Sequence, residues 1–327
     1  MERERERVYL TDAHKFEQSL DIYYSINLSN KRIPINNTNP IVIITIGSGW
    51  LGHTPLIYMV TAWWNESLAK KLTKQGIPCI YIRHRGACIH PSIWVYILNM
   101  FLMFITNMQI EMFIGTFFIF GLCSWVGRGS ATYQNMIDDT ADSLKYIYNK
   151  RIEISKKCNS NGKFIIGGYS SGSHILLSVL QNGLLEKRGM PSPDKIYDSI
   201  LIISGVYSTG KFDKEPENIH YKIIKAFLTN IFKCSPNNQM SPIHNIKLLP
   251  KLPYLIIKCK HEVWNMPLIA RIFDILLCGK EFIEKMNKCS DKNSIKLFDI
   301  KSIELNENHW SILNSNVLID FICMHIK

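Results

Sequence analysis

Along the chain, short runs of β-branched and aliphatic residues alternate with longer stretches in which apolar side chains recur every three or four positions. That alternation is the mark of strands and crossover helices building a mostly parallel sheet. Six runs have the length and composition of buried strands: Ile41 to Ile46, Ile77 to Ile82, Phe164 to Gly167, Ile200 to Ser204, Tyr254 to Lys258 and Ile295 to Ile300. Helical periodicity falls between them, over Tyr58 to Gln75 with Gly76 as a stop, Met136 to Asn149, Ser173 to Leu185 and Pro267 to Met286, and a last helix begins near Ser311. No segment rich in Pro, Gly or Ser divides the chain, so residues 1–327 read as one domain of the α/β class.

One stretch departs from this rhythm. Between Ser92 and Val126 the only charged side chain is Glu111, and Phe, Ile, Leu, Met and Trp dominate. A membrane span needs about 20 apolar residues, so the stretch could supply one long span or a hairpin turning near Asn107 to Glu111. Arg83 and Arg85 before it and Arg128 after it suit a hairpin with both ends on the cytoplasmic side, or a segment that only dips into one leaflet. The other reading is a buried helical pair or an apolar lid, because Asn99, Thr106, Gln109 and Gly115 dilute it. Membrane contact through this insertion is the expectation carried forward.

Composition narrows the classes. The 327 residues carry 38 Lys+Arg and 27 Asp+Glu, a formal net charge of +11, yet the basic residues are spread among Ile and Asn rather than gathered with stacking aromatics. Nucleic-acid binding is therefore not expected. Nine cysteines, odd in number and without a CxxC pair, fit neither a disulfide framework nor a zinc ribbon. With a charge-alternating N-terminus, Met-Glu-Arg-Glu-Arg-Glu-Arg, in place of an apolar signal core, they point to a reducing, intracellular setting.

The most informative string is Gly168-Tyr169-Ser170-Ser171-Gly172, a GxSxG pattern that follows a strand and opens a helix. A strand-to-helix turn this tight accepts only small flanking residues and pushes the central hydroxyl outward, so Ser170 is the candidate nucleophile. A serine needs a base, and the base a carboxylate to hold its tautomer. His309, on a loop between the last strand and the terminal helix, is the candidate base. Glu262, a few residues beyond the Tyr254 to Lys258 strand, is the candidate acid, with Asp274 and Asp299 as weaker rivals. An oxyanion needs N–H donors, assigned to Ser171 after the nucleophile and to Gly47 and Ser48 on the loop after an early strand. Ser171 is given only a backbone role here, so its side chain is expected to be far more dispensable than that of Ser170.

In order and kind these motifs resemble the α/β-hydrolase esterases of the hormone-sensitive-lipase and kynurenine-formamidase-like groups, including isoprenylcysteine methylesterases. Leu20-Asp21-Ile22-Tyr23 matches their Leu-Asp-x-Tyr strand, Gly47-Ser48-Gly49-Trp50 most of His-Gly-Gly-x-Trp, and Gly168 to Gly172 their elbow. The resemblance runs from about Leu20 to the end of the chain. It implies the α/β-hydrolase fold, serine carboxylic-ester hydrolysis through Ser170, His309 and Glu262, and no cofactor. Two departures stand out: the family histidine is Ile46 here, and the acid is Glu where relatives more often carry Asp. The apolar insertion favours a lipid-like or long-chain ester.

Three other readings compete. Loss of the loop histidine at Ile46 would suit a non-catalytic membrane-associated protein keeping this fold. Gly47-Ser48-Gly49-Trp50-Leu51-Gly52 is also GxGxxG after a strand, with Arg83 placed to meet a 2′-phosphate, as an NADP-binding oxidoreductase would need. Trp50 and Pro55 suit a helix start beside pyrophosphate poorly, and that reading leaves the Ser, Glu, His order unexplained. His84, Cys88 and His90 as a metal site lack a completing cluster.

Overall fold

The computed structural model describes residues 2–10, 16–26, 39–50, 52–53, 66–86, 131–209, 225, 228–229, 231–234, 236–260, 274–289 and 297–326. These residues form one eight-stranded sheet. Its strands are β1 (Glu2–Tyr9), β2 (Ser19–Ile26), β3 (Ile41–Thr45), β4 (Cys79–Ile82), β5 (Phe164–Tyr169), β6 (Ser199–Ile203), β7 (Tyr254–Cys259) and β8 (Ile300–Leu305). The order across the sheet is β1-β2-β4-β3-β5-β6-β7-β8. The β1–β2 and β2–β4 pairs are antiparallel, and every pair from β4 to β8 is parallel.

Both faces of the central strands are covered, which is why they read as unbroken apolar runs. In β3, Ile41 and Ile43 join one core with Ile166 and Ile256, and Val42 and Ile44 join another with Ile165 and Ile257. The first face is covered by α2 (Tyr133–Asn149), α4 (Ser171–Gln181) and α5 (Gly279–Lys288). The opposite face receives α1 (helical over residues 66–74) and the terminal helix α6 (Asn316–Ile326), through Leu68, Leu72, Leu318 and Ile322. A short helix, α3 (Arg151–Cys158), follows α2.

The structure revises the sequence reading at the edges of the sheet. Strands β1 and β2 do not appear among the six expected runs, because β1 alternates Glu and Arg rather than apolar residues and β2 mixes Ser and Asp into its apolar positions. The last strand lies at Ile300–Leu305 rather than Ile295 to Ile300; as an edge strand it is only half-buried and lacks a continuous apolar run. The region expected to be helical from Pro267 begins its described part at Asp274, and the insertion from Ser92 to Val126 lies outside the described residues. No helix among the described residues is long and apolar enough to cross a membrane.

The charge alternation of β1 has a structural cause. Arg5 and Arg7 reach Asp21 on β2 at 2.6 Å and 3.0 Å, and Arg83, at the end of β4, pairs with the same carboxylate. Asp21 and Arg83 are fully buried, Arg83 also donates to Ser19 Oγ at 2.8 Å, and the Phe16 ring lies 4.4 Å from both the Arg7 and Arg83 guanidinium carbons. Burial pushes the Asp21 carboxyl up, but the charges and hydrogen bonds of Arg83, Arg7 and Arg5 outweigh it and hold its pKa below the ordinary value. A lowered folded pKa means that the stabilisation is complete above the ordinary carboxylate range and is lost as pH falls through the folded value. Asp21→Ala should cost about 3–5 kcal/mol, because it strands a buried guanidinium. Urea denaturation of parent and variant at neutral pH measures this, and a loss below about 1 kcal/mol would contradict it.

Candidate active site

The site is assembled where β3, β5 and β6 end, and backbone strain gathers there. Trp50 after β3, Ser170 after β5 and Ser204 after β6 have φ values of 63°, 54° and 44°, in the left-handed region that side chains other than glycine avoid. Ser170 marks the turn from β5 into α4, with ψ −128°. Its N–H donates to Ile203 O at 3.0 Å and its carbonyl accepts from Ser173 N at 3.0 Å, so both neighbouring elements hold the strained residue. The glycines of the motif are steric necessities. A Cβ at Gly172 would stand 2.1 Å from the Thr45 carbonyl oxygen, and one at Gly168 2.5 Å from Ser173 Cα.

Ser170 and His309 meet. His309 Nε2 lies 2.8 Å from Ser170 Oγ, and the imidazole is almost fully buried. The loop carrying it is fixed at several points. Tyr169 OH donates to the His309 carbonyl at 2.6 Å, while Asn308 Oδ1 accepts from Trp310 N at 2.9 Å and Ser311 N at 2.8 Å. On the far side of the ring, Nδ1 lies 3.1 Å from Ser204 Oγ, which itself lies 3.4 Å from Cys259 Sγ at the end of β7. Ser204 was not singled out from the sequence; its signal was its position at the end of a strand beside the elbow. Glu262 lies outside the described residues. Its rivals Asp274 and Asp299 are described and exposed.

Gly47 packs directly on the Ser170 turn: a Cβ there would stand 2.6 Å from the Tyr169 carbonyl oxygen and 2.7 Å from Ser170 Cβ. Ser171 is the first residue of α4, where a helix provides no acceptor for the N–H. Its side chain has a role that the sequence reading did not give it. The buried Oγ accepts from Ser48 N at 3.1 Å and from Trp50 N at 3.3 Å, tying the β3 loop to the start of α4. Ser48 Oγ in turn accepts from Gly52 N at 3.0 Å, closing the loop on itself. Of the N–H groups in this GxGxxG pattern, those of Ser48 and Trp50 are thus directed at the elbow and that of Gly52 back at the loop itself.

Three further histidines are fully buried near this loop. His174 on α4 accepts from the Trp50 indole Nε1 at Nδ1, 3.2 Å, and its Nε2 contacts the Met240 carbonyl at 2.7 Å. Burial pushes its pKa down to about 4 against the pull of that carbonyl, so the ring is neutral at neutral pH. His53 and His84 pack edge to face with centroids 4.7 Å apart, and burial lowers both pKa values. His84 contacts the Arg85 carbonyl through Nδ1; its suggested metal partners Cys88 and His90 lie outside the described residues. Among the described residues no three His, Cys, Asp or Glu side chains are grouped to hold a metal ion.

No protein-family model matches the sequence, and no curated protein matches it. Solved structures do. Esterase B from Lactobacillus rhamnosis, also solved with a tributyrin phosphonate, superposes with a TM-score of 0.59 at 13% identity over 98% of this chain and 83% of that one. A thermostable esterase from Pseudomonas putida gives 0.50 at 13% identity over 99% and 80%, and a fungal esterase from Rhizomucor miehei 0.52 at 10% identity over 99% and 82%. With its sheet order and elbow, the chain has the α/β-hydrolase fold.

The contact between Gly47 and Ser170 leaves no room for a methyl group. Gly47→Ala should therefore displace the β3 loop from Ser170 and, with Ser170 as the candidate nucleophile and this loop as the candidate oxyanion donor, slow phosphonylation by a fluorophosphonate by at least about 100-fold. Labelling rates of folded parent and variant check this, and equal rates would contradict the placement.

Proposed function

We propose that the protein is a serine carboxylic-ester hydrolase. The observation that carries the proposal is the 2.8 Å contact between Ser170 Oγ and His309 Nε2 at a strained strand-to-helix turn. In this reading His309 takes the hydroxyl proton as Oγ attacks the ester carbonyl. The oxyanion is met by backbone N–H groups of Gly47, Ser48 and Ser171, which requires Ser48 N–H to exchange its Ser171 Oγ acceptor for the developing charge. His309 then returns the proton to the leaving alcohol, and water, deprotonated by the same ring, releases the acyl group. Glu262 is assigned to orient the imidazolium; among the described residues, the atom facing Nδ1 is Ser204 Oγ.

For substrate we infer an apolar acyl ester. The esterase folds above support the reaction class, and the tributyrin phosphonate bound by esterase B shows what that protein accepts. The apolar stretch from Ser92 to Val126 motivates the extension to long acyl chains and to contact with a membrane at the cytoplasmic side, since pockets favour what they can desolvate.

Ser170→Ala should abolish turnover of p-nitrophenyl esters, a loss of about 10⁴-fold or more. Deleting Ser92 to Val126 should depress activity on long acyl chains more than on acetyl or butyryl esters and shift the protein from membrane to supernatant. Initial rates across acyl lengths, with and without detergent, test both parts. Full activity in Ser170→Ala would end the mechanism, and equal losses at every chain length would end the assignment of the insertion.

A further inference from the structure

The β3 loop carries an unusual conformation. Gly49 and Trp50 are both left-handed, with φ values of 61° and 63°, and for a bulky residue such as Trp that persists only where the surroundings over-determine it. The surroundings are on the page. Trp50 is buried, its backbone N–H is taken by Ser171 Oγ, its ring meets Phe232 edge to face at 5.6 Å, and its indole N–H points at His174 Nδ1.

His174 is built to accept that bond. It is fully buried on α4, four residues after the nucleophile, and Phe232 stacks parallel to it with centroids 5.9 Å apart. Its Nε2 must carry the ring's single proton, because its partner there is the Met240 carbonyl, which only accepts. Nδ1 is left with a lone pair, and the Trp50 indole N–H is the donor that fills it. Its two ring nitrogens are both engaged, so it has no proton to exchange with Ser170.

We propose that His174 is a positioning residue for the esterase reaction: by accepting the Trp50 indole N–H, it fixes the loop bearing Gly47 and Ser48 to the helix that begins directly after Ser170. Nucleophile and oxyanion donors then share one rigid frame, Ser170 capping α4 and α4 supplying the Ser171 N–H and both anchors of the facing loop. Position 46, at the head of that loop, is Ile and can give no such side-chain hydrogen bond, so the anchoring comes from the helix side. The proposal rests on the hydrolase reading above.

Substitutions at both ends of the bond test it. In His174→Gln the amide reaches where Nε2 stood and can keep Met240, but nothing accepts the indole N–H; in His174→Asn the amide stands where Nδ1 stood and its oxygen can accept it. Trp50→Phe removes the donor from the other side and keeps the ring. The expected result is that His174→Gln and Trp50→Phe each lower kcat by about 10- to 100-fold with KM changed by less than about threefold, because a misplaced oxyanion loop acts on the transition state. His174→Asn should stay within about fivefold of the parent, and the double variant Trp50→Phe/His174→Gln should fall no more than about threefold below the worse single, since one bond is being removed twice. Should His174→Gln fail to fold, Trp50→Phe alone, set against His174→Asn as the variant that keeps the acceptor, still tests the bond.

Parent-like kcat in Trp50→Phe and His174→Gln, or effects that multiply independently in the double variant, would overturn the positioning role while leaving the hydrolase reading intact. A parent protein that hydrolyses no ester and takes no fluorophosphonate on Ser170 would instead overturn the hydrolase reading, and the role given to His174 with it.

Discussion

Everything at the candidate site hangs on one strained residue. Ser170 occupies a left-handed backbone conformation that β5 and α4 impose from either side, and this puts its Oγ at the carboxyl end of the sheet within 2.8 Å of His309 Nε2. The conformation is affordable only because the chain around it is stripped of side-chain bulk: Gly168 and Gly172 admit the turn, and Gly47 lets the facing loop lie against Ser170 itself. That close approach is what the proposed chemistry needs, since donors for an oxyanion must stand about 3 Å from the oxygen on which the charge develops.

The strain is shared rather than isolated. Trp50 and Ser204 are held left-handed at the ends of the two strands flanking β5, and each directs a polar atom at the machinery: Trp50 its indole N–H at His174, Ser204 its hydroxyl at His309 Nδ1. Such conformations cost of order 1–3 kcal/mol each and persist because packed elements over-determine them. In this protein the rigidity is paid into by the sheet, whose central strands bury both faces. The Asp21 cluster does similar work at the antiparallel end, where burial alone would be insufficient to hold an edge strand made of Glu and Arg.

What could be read in the sequence follows from how local each constraint is. The central strands were legible because double burial leaves uninterrupted apolar runs, and the elbow because its glycines answer a steric demand within five residues. His309 was legible by its place after the last strand. Strand β1 was not, and β2 was legible only through its Leu20 to Tyr23 motif, because their polar residues are satisfied by partners far along the chain, Arg83 among them. Nor were the contacts that anchor the β3 loop. Ser171 appeared as a backbone donor and His174 as one more helix residue, and only the folded chain brings them to Ser48 and Trp50, more than 120 positions away.

The central claim is that Ser170, activated by His309, is the nucleophile, and the most direct measurement is the site of covalent capture. Intact parent protein treated with a fluorophosphonate and mapped by peptide mass spectrometry should carry a single adduct on Ser170, and the adduct should vanish in His309→Ala. An adduct on Ser171 or Ser173, labelling that survives loss of His309, or no adduct at all in folded protein would contradict the account.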